Sequence, residues 1–389
     1  MKRWWRMLLL LVMISCIHLC AAQAAEVAED LTKQVQLNGR NWNDRYPDSC
    51  RDGSYATFYT GRTLTITAPE GRKIGSLQLK WRTFIPPSVK IEVRENGRWR
   101  ELLCAGPDYA AQYITLPEPC GEIRLVSAKG DLELSDIIVL GPGEAPGYVQ
   151  RWREAPEKVE LMLLSTHPDD EVLWFGGLLP YYAGQLDRDV LVVNAVWGWY
   201  GRRLELLDAL WTCGVEIYPI MLGYADYGLM PDELYQVWRE TDINPNNTMV
   251  SLIRQYRPDV VVLHDVDGEY GHPAHMLFSR IGRQGVVRAA DEAEHVASVK
   301  QWGVWDVPKT YIHLWPERQL RMDWQIPLPA FDGKTALAVA QRAMECHKSQ
   351  LSRGWKVWEG GEYDNALFGL WRTTVGDDTL KNDLFENIP

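Results

Sequence analysis

Val159-Glu160-Leu161-Met162-Leu163-Leu164-Ser165-Thr166-His167-Pro168-Asp169-Asp170-Glu171 is the stretch on which the fold turns. Five of its first six residues are apolar, and so short an apolar run has the composition of a strand buried on both faces of a parallel sheet. The run then breaks into a His-Pro-Asp-Asp-Glu cluster that opens a helix, with Gly176-Gly177 shortly after. Three polar ligand types therefore stand beyond a strand's carboxyl end, where open α/β sheets place their chemistry.

The spacing within the cluster has a physical reason. His167 and Asp170 are three apart, which lets two side chains converge as a strand turns into a helix, and imidazole plus carboxylate is an ordinary zinc pair. Asp169, between them, need not face the metal and is left to take a proton from a water that zinc has made acidic. Catalytic zinc needs a third protein ligand and an open position. A second buried-strand run, Val260-Val261-Val262-Leu263, leads into His264-Asp265-Val266-Asp267-Gly268-Glu269-Tyr270-Gly271-His272-Pro273-Ala274-His275, where two histidines three apart repeat the first geometry.

Outward from these loops, strand and helix patterns alternate. Strands are expected at Val159 to Leu164, Val190 to Val196, Val215 to Leu222 and 259 to 264, and helices at 171 to 185, 201 to 213, 231 to 240, 247 to 257 and 273 to 290. Further strands and one more helix, 333 to 350, follow residue 310. Such alternation predicts a Rossmann-like, mostly parallel sheet with covered faces over 157–389. Upstream the texture differs. Residues 26–142 carry short alternating segments (Thr63 to Ala68, Ser76 to Trp81, Val89 to Val93, Glu122 to Ser127, Leu132 to Val139) between Gly, Pro and Asp turns, the pattern of an antiparallel β-sandwich. Gly141-Pro142-Gly143-Glu144-Ala145-Pro146-Gly147 marks a linker, taken as residues 143–156.

With these motifs in order, the chain resembles the PIG-L/LmbE-like family of zinc-dependent de-N-acetylases, from residue 159 to about 387. The resemblance implies His167, Asp170 and His275 as zinc ligands and Asp169 as general base. It implies His272 as the residue that steadies the oxyanion or protonates the leaving amine, with Tyr270 assisting. Arg202, three before Glu205, and Asp226 match positions that hold sugar hydroxyls, and His347-Lys348-Ser349-Gln350 resembles a recurrent family ending. Taken alone, Arg202 and Glu205 would read as a surface ion pair. The chain departs from the family at Ala274, where Asp is usual; His264, Asp265 and Asp267 are candidates to support His272 instead. The sandwich resembles, far less specifically, a galactose-binding-like (discoidin-type) jelly roll through its turn order, Asp52-Gly53 and Ser135-Asp136-Ile137-Ile138-Val139.

Lys2, Arg3 and Arg6 precede an apolar run, Met7 to Leu19, too short to span a bilayer comfortably, and Ala22-Gln23-Ala24 supplies a cleavage pattern. Residues 1–24 thus read as a signal peptide, leaving no transmembrane segment and a secreted or extracytoplasmic protein of net charge near −14. An acidic exported chain without a basic run is a poor partner for nucleic acid. Its 18 tryptophans suit sugar rings. Cys50, Cys104, Cys120, Cys213 and Cys346 follow the leader; Cys104 and Cys120 flank a hairpin and either bridge or stay free.

These features predict an exported hydrolase that removes acetyl from an N-acetylated carbohydrate, with Zn2+ or another divalent metal such as Fe2+ as cofactor. Two alternatives stand beside it: an amidase or esterase on another acylated substrate, and a glycan-binding protein impaired at Ala274.

Overall fold

The computed structural model describes residues 26–39, 47–83, 87–106, 109–379 and 383–388; the expected leader lies outside these. Among the described residues, nine strands make up the amino-terminal half: β1 (Gln36–Gly39), β2 (Tyr59–Gly61), β3 (Thr63–Thr67), β4 (Ile74–Trp81), β5 (Val89–Glu95), β6 (Arg98–Ala105), β7 (Ala111–Cys120), β8 (Glu122–Ser127) and β9 (Leu132–Leu140). They form two antiparallel sheets, in the orders β1-β3-β8-β5-β6 and β2-β9-β4-β7. The period-2 pattern sends Leu64, Ile66, Ile91, Ile123 and Leu125 of the first sheet and Leu77, Leu79, Trp81 and Val139 of the second into one apolar cluster. Cys50, Cys104 and Cys120 are free thiols.

Strand β4 is buried along its whole length because it serves two neighbours. On the side away from that cluster, Gln78 Nε2 donates to Gln150 O (2.9 Å) and Lys80 Nζ to Asp208 Oδ1 (2.7 Å), both in the second half of the chain. Burial alone would lower the Lys80 amine, but Asp208 and Asp136 beside it hold it above its ordinary value. Arg203 reaches the end of the same strand, where one nitrogen of its guanidinium donates to the carbonyls of Trp81 (3.2 Å), Arg82 (2.9 Å) and Thr83 (2.6 Å). The expected linker is itself tied down: Ala28 N–H donates to Glu144 O (2.8 Å) and Arg153 N–H to Glu216 O (3.0 Å).

The carboxyl-terminal half contains β10 (Leu161–Ser165), β11 (Val190–Val196), β12 (Ile220–Tyr224), β13 (Val260–Leu263), β14 (Lys309–His313), β15 (Gln319–Arg321), the short pair β16 (Pro327–Leu328) and β17 (Lys334–Thr335), and β18 (Leu367–Thr373). Its helices are α1 (Asp170–Leu173), α2 (Tyr200–Thr212), α3 (Pro231–Thr241), α4 (Pro245–Tyr256), α5 (Pro273–Ala289), α6 (Val296–Trp302), α7 (Ala336–Met344) and α8 (Lys348–Leu351). Seven strands form a mixed sheet, β12-β11-β10-β13-β14-β18-β15, in which β10 to β14 are parallel and β18 is antiparallel to its neighbours. The chain runs outward from β10 through β11 and β12, then returns to β13 on the other side. The order therefore reverses between β10 and β13, and the crevice at that reversal lies between the two histidine-bearing loops.

Three expected elements differ. The helix expected over 171–185 is one turn, α1, and then a π-helical segment, Pro180–Gln185. The break falls at Gly176 (φ +50), where a Cβ would lie 2.6 Å from Asn365 Oδ1. The strand expected from Val215 joins the sheet only at Ile220, with Ile217 held by an isolated bridge to Arg153. The helix expected over 333–350 divides into α7 and α8, because His347 between them turns inward to meet Glu171.

Candidate metal centre and active site

Strand β10 ends at Ser165, and the next residues fold into a tight turn that delivers two side chains to one point. His167 Nδ1 lies 3.2 Å from Asp170 Oδ2, and His275, two residues into α5, brings its Nε2 to 3.1 Å from each of those atoms. Tetrahedral zinc ligands at about 2.0–2.1 Å from the ion stand about 3.3 Å apart, so a triangle of this size fits three ligands with a fourth position open. All three residues are buried.

The ring and carboxylate orientations are set by neighbours. Asp226, at the end of β12, takes His167 Nε2 at 3.0 Å, which leaves Nδ1 for the triangle; that bond is the chief reason the Asp226 carboxyl is held down at about 2. Trp174 Nε1 donates to Asp170 Oδ1 (2.9 Å), leaving Oδ2 inward. Burial would raise the Asp170 carboxyl, but His275 and His167 hold it well below the usual range. His264 approaches Asp170 to 3.6 Å, yet its Nε2 accepts the Thr166 N–H at 3.0 Å and so has no lone pair to offer an ion.

Asp169 is oriented differently from its neighbours. Its backbone is at φ +120, a conformation that costs a non-glycine residue of order 1–3 kcal/mol. Glu171 holds it there: Oε2 accepts the Asp169 N–H (2.8 Å), while Oε1 is paired with His347 Nε2 (2.6 Å). Arg202, on α2, reaches Asp169 Oδ1 at 3.1 Å and also bonds the Pro168 carbonyl. Burial, with Asp170 next to it, pushes the Asp169 carboxyl up to about 7, against the pull of Arg202.

His272 caps α5, and its Nδ1 accepts the Ala274 N–H at 3.2 Å. Burial, with His167 and His275 nearby, lowers it to about 4. Asp226 Oδ2 is 3.8 Å from His272 Nε2, whereas neither Asp265 nor Asp267 is bonded to this imidazole and His264 stacks on His275 instead. Tyr270 packs edge-on to His272 and His275 and against Trp355.

The structure thus brings His167, Asp170, His275, Asp169, His272, Tyr270, Arg202 and Asp226 into one crevice. Arg202 and Asp226 are engaged with Asp169 and His167, a placement that the sequence did not disclose. Glu171 and His347 also belong to the centre, as do Trp174 and Glu269. Glu171 and Glu269 were signalled only by membership of the quoted loops and His347 by the family-like ending; Trp174 carried no signal in the sequence. A cavity of about 890 Å³, beside Tyr109, Tyr218 and Tyr256, lies by the start of β12, far from this chemistry.

Fold and site together define an α/β protein with a His/Asp cluster of metal-site geometry and an adjacent buried carboxylate at a sheet reversal. Residues 162–286, which include both histidine loops, match the family model described as PIG-L: GlcNAc-PI de-N-acetylase. The 1D-myo-inositol 2-acetamido-2-deoxy-alpha-D-glucopyranoside deacetylase 1 of Catenulispora acidiphila is 30% identical over 210 residues, 46% of this chain and 63% of that protein. The 1D-myo-inositol 2-acetamido-2-deoxy-alpha-D-glucopyranoside deacetylase of Rhodococcus opacus is 30% identical over 244 residues, 55% of this chain and 74% of that protein. The N,N'-diacetylchitobiose deacetylase from Pyrococcus horikoshii superposes with a TM-score of 0.38 at 17% identity, over 49% of this chain and 71% of that one. The chain belongs to the PIG-L family, a hydrolytic family whose relatives here are named as deacetylases.

Proposed function

We propose that the protein is an exported, metal-dependent de-N-acetylase that hydrolyses the acetamide of a GlcNAc-like amino sugar in a glycan or glycoside. The observation that carries this reading is the triangle of His167 Nδ1, Asp170 Oδ2 and His275 Nε2, 3.1 to 3.2 Å on each side, with the buried Asp169 carboxyl beside it. Two imidazoles and a carboxylate suit Zn2+, and Fe2+ also accepts such a set. A bound ion would polarise the amide carbonyl and make water easier to deprotonate.

The chain's own groups do the rest. Arg202 occupies Asp169 Oδ1, so Oδ2 is the atom that takes the proton of the attacking water. His272 accepts at Nδ1 and therefore carries its proton on Nε2, from which it can donate a hydrogen bond to the carbonyl oxygen as charge develops there. Tyr270, whose hydroxyl is pushed up by burial and the surrounding carboxylates, is a second such donor. Asp169 then returns its proton to the departing amine, for which a pKa near neutrality is suited.

The sugar assignment is supported by the substrates that the relatives' names carry and by the exposed aromatics Trp199 and Tyr227 on loops that follow β11 and β12. Asp226 Oδ1, held only by a 3.4 Å Gly228 N–H, is the atom of that carboxylate left for a hydroxyl. Export is read from residues 1–24; among the described residues no helix is long and apolar enough to cross a membrane. The two-sheet sandwich is read as a galactose-binding-like carbohydrate module. The test measures acetate released from N-acetyl and O-acetyl sugars side by side, before and after chelation. Release from N-acetylglucosaminides that stops on chelation and returns with zinc is expected; release from O-acetyl sugars alone would exclude the reading.

A further inference from the structure

Glu269 is fully enclosed, and its carboxylate is the meeting point of three imidazoles. Oε2 takes His275 Nδ1 at 2.6 Å; Oε1 takes His264 Nδ1 and His313 Nδ1, each at 3.0 Å, and the Asp265 N–H at 3.1 Å. The protons can be placed from the partners. His264 Nε2 accepts the Thr166 N–H, so its hydrogen is on Nδ1 and points at Glu269. His313 bridges the carboxylate and the Asp364 carbonyl, its Nδ1 3.0 Å from the first and its Nε2 3.1 Å from the second. Both oxygens of the carboxylate are thus engaged, one by His275 alone and the other by His264, His313 and the Asp265 N–H.

The backbone supports the same assignment. Glu269 is in the left-handed region, φ +54, one residue after Gly268, where a Cβ would lie 2.5 Å from His272 O. Two successive left-handed residues fold the loop back so that a side chain from its middle reaches under the start of α5. Left-handed backbone at a non-glycine residue is a local strain that the surrounding structure must sustain.

We propose that Glu269 is the positioning carboxylate of the metal centre: by accepting Nδ1–H of His275 it fixes the tautomer whose Nε2 lone pair points at His167 and Asp170. The neighbouring Ala274 has no side chain able to do this, and Asp170 and Asp226 are already committed to the front of the triangle. Carboxylate support of this kind orients a ligand imidazole and raises its basicity, and its loss typically costs about 10- to 100-fold in metal affinity. The inference rests on the metal reading above.

The experiment is a chelator competition that measures zinc affinity in the parent and in Glu269→Gln and Glu269→Asp. An amide at 269 presents NH2 or C=O to His275 without charge, so Glu269→Gln should bind zinc about 10- to 100-fold more weakly. Glu269→Asp, which keeps the charge, should recover part of the loss. Zinc affinity in a folded Glu269→Gln protein within about threefold of the parent, well short of that 10-fold, would overturn the inference. Should Glu269→Gln fail to fold, cadmium-113 and nitrogen-15 NMR of the parent decides: coupling of the metal to His275 Nε2 with a protected, downfield Nδ1 proton is expected. Coupling to Nδ1, or no such proton, would overturn it. A parent that binds neither metal would instead remove the metal reading itself, a result distinct from an unaltered Glu269→Gln.

Discussion

Replacing Arg203 by Met should loosen the sandwich from the α/β half. The guanidinium is 1% exposed, and it donates to three successive carbonyls at the end of β4. Hydrogen bonds from a charged donor contribute about 1.5–3 kcal/mol each. The guanidinium's own burial, which lowers its pKa, offsets part of that sum, and the carbonyls of Arg82 and Thr83 lie near enough to the surface to rehydrate. Methionine also refills part of the apolar stem's volume. A net loss of about 3 kcal/mol remains, at the lower end of what removing one partner of a buried charged contact costs. In urea, with a slope of roughly 3 kcal/mol per molar, the midpoint should fall by about 1 M, followed by tryptophan fluorescence. Arg203→Lys keeps a charged single-nitrogen donor on a shorter stem, and should recover part of the loss. A midpoint for Arg203→Met within about 0.2 M of the parent, less than 1 kcal/mol on that slope, would refute the view that this side chain latches the halves together.

Asp169→Asn should retain the metal and lose on the order of a hundredfold or more in turnover, because an amide cannot accept the proton; activity within a few fold of the parent would move the base elsewhere. Asp136 has a carboxyl raised to about 6, first by burial and then by Asp208, despite Lys80. Its folded pKa exceeds the unfolded one, so its contribution to stability is complete below about pH 4, declines as pH rises toward 6 and is constant beyond. Asp136→Asn should therefore match the parent near pH 4 and exceed it by up to about 3 kcal/mol at pH 7.5; an equal difference at both pH values would contradict the linkage. Ala274→Asp should weaken the fold without speeding turnover, since Ala274 is fully buried in an apolar cluster with Leu277 and Phe278. A folded, faster Ala274→Asp enzyme would show that His272 does lack support.

The parallel strands were legible because burial on both faces leaves a mark that needs no partner: Val190–Val196 is apolar but for Asn194. The two histidine loops were legible for the opposite reason, as dense polar clusters directly after such runs. What stayed hidden depends on contacts between distant segments. Strand β7 contains Pro117 and Pro119 and lies at a sheet edge, where proline is tolerated but removes the strand signal. Nothing local separates α7 from α8; the break follows from His347 seeking Glu171 across 176 residues. Asp226 and Arg202 were legible as polar residues at strand and helix ends, yet their actual partners, His167 and Asp169, come from another loop. Glu269 stood inside the quoted loop, but the three imidazoles around it come from β14, α5 and the end of β13, so only the fold reveals its place.

The central claim is that His167, Asp170 and His275 hold one catalytic metal. Anomalous diffraction at the zinc edge, from crystals of zinc-loaded protein, tests it most directly. The account predicts a single strong peak about 2.0–2.2 Å from His167 Nδ1, Asp170 Oδ2 and His275 Nε2, and no peak in His275→Ala crystals. A peak centred on His264 or elsewhere, or one that persists in His275→Ala, would contradict it.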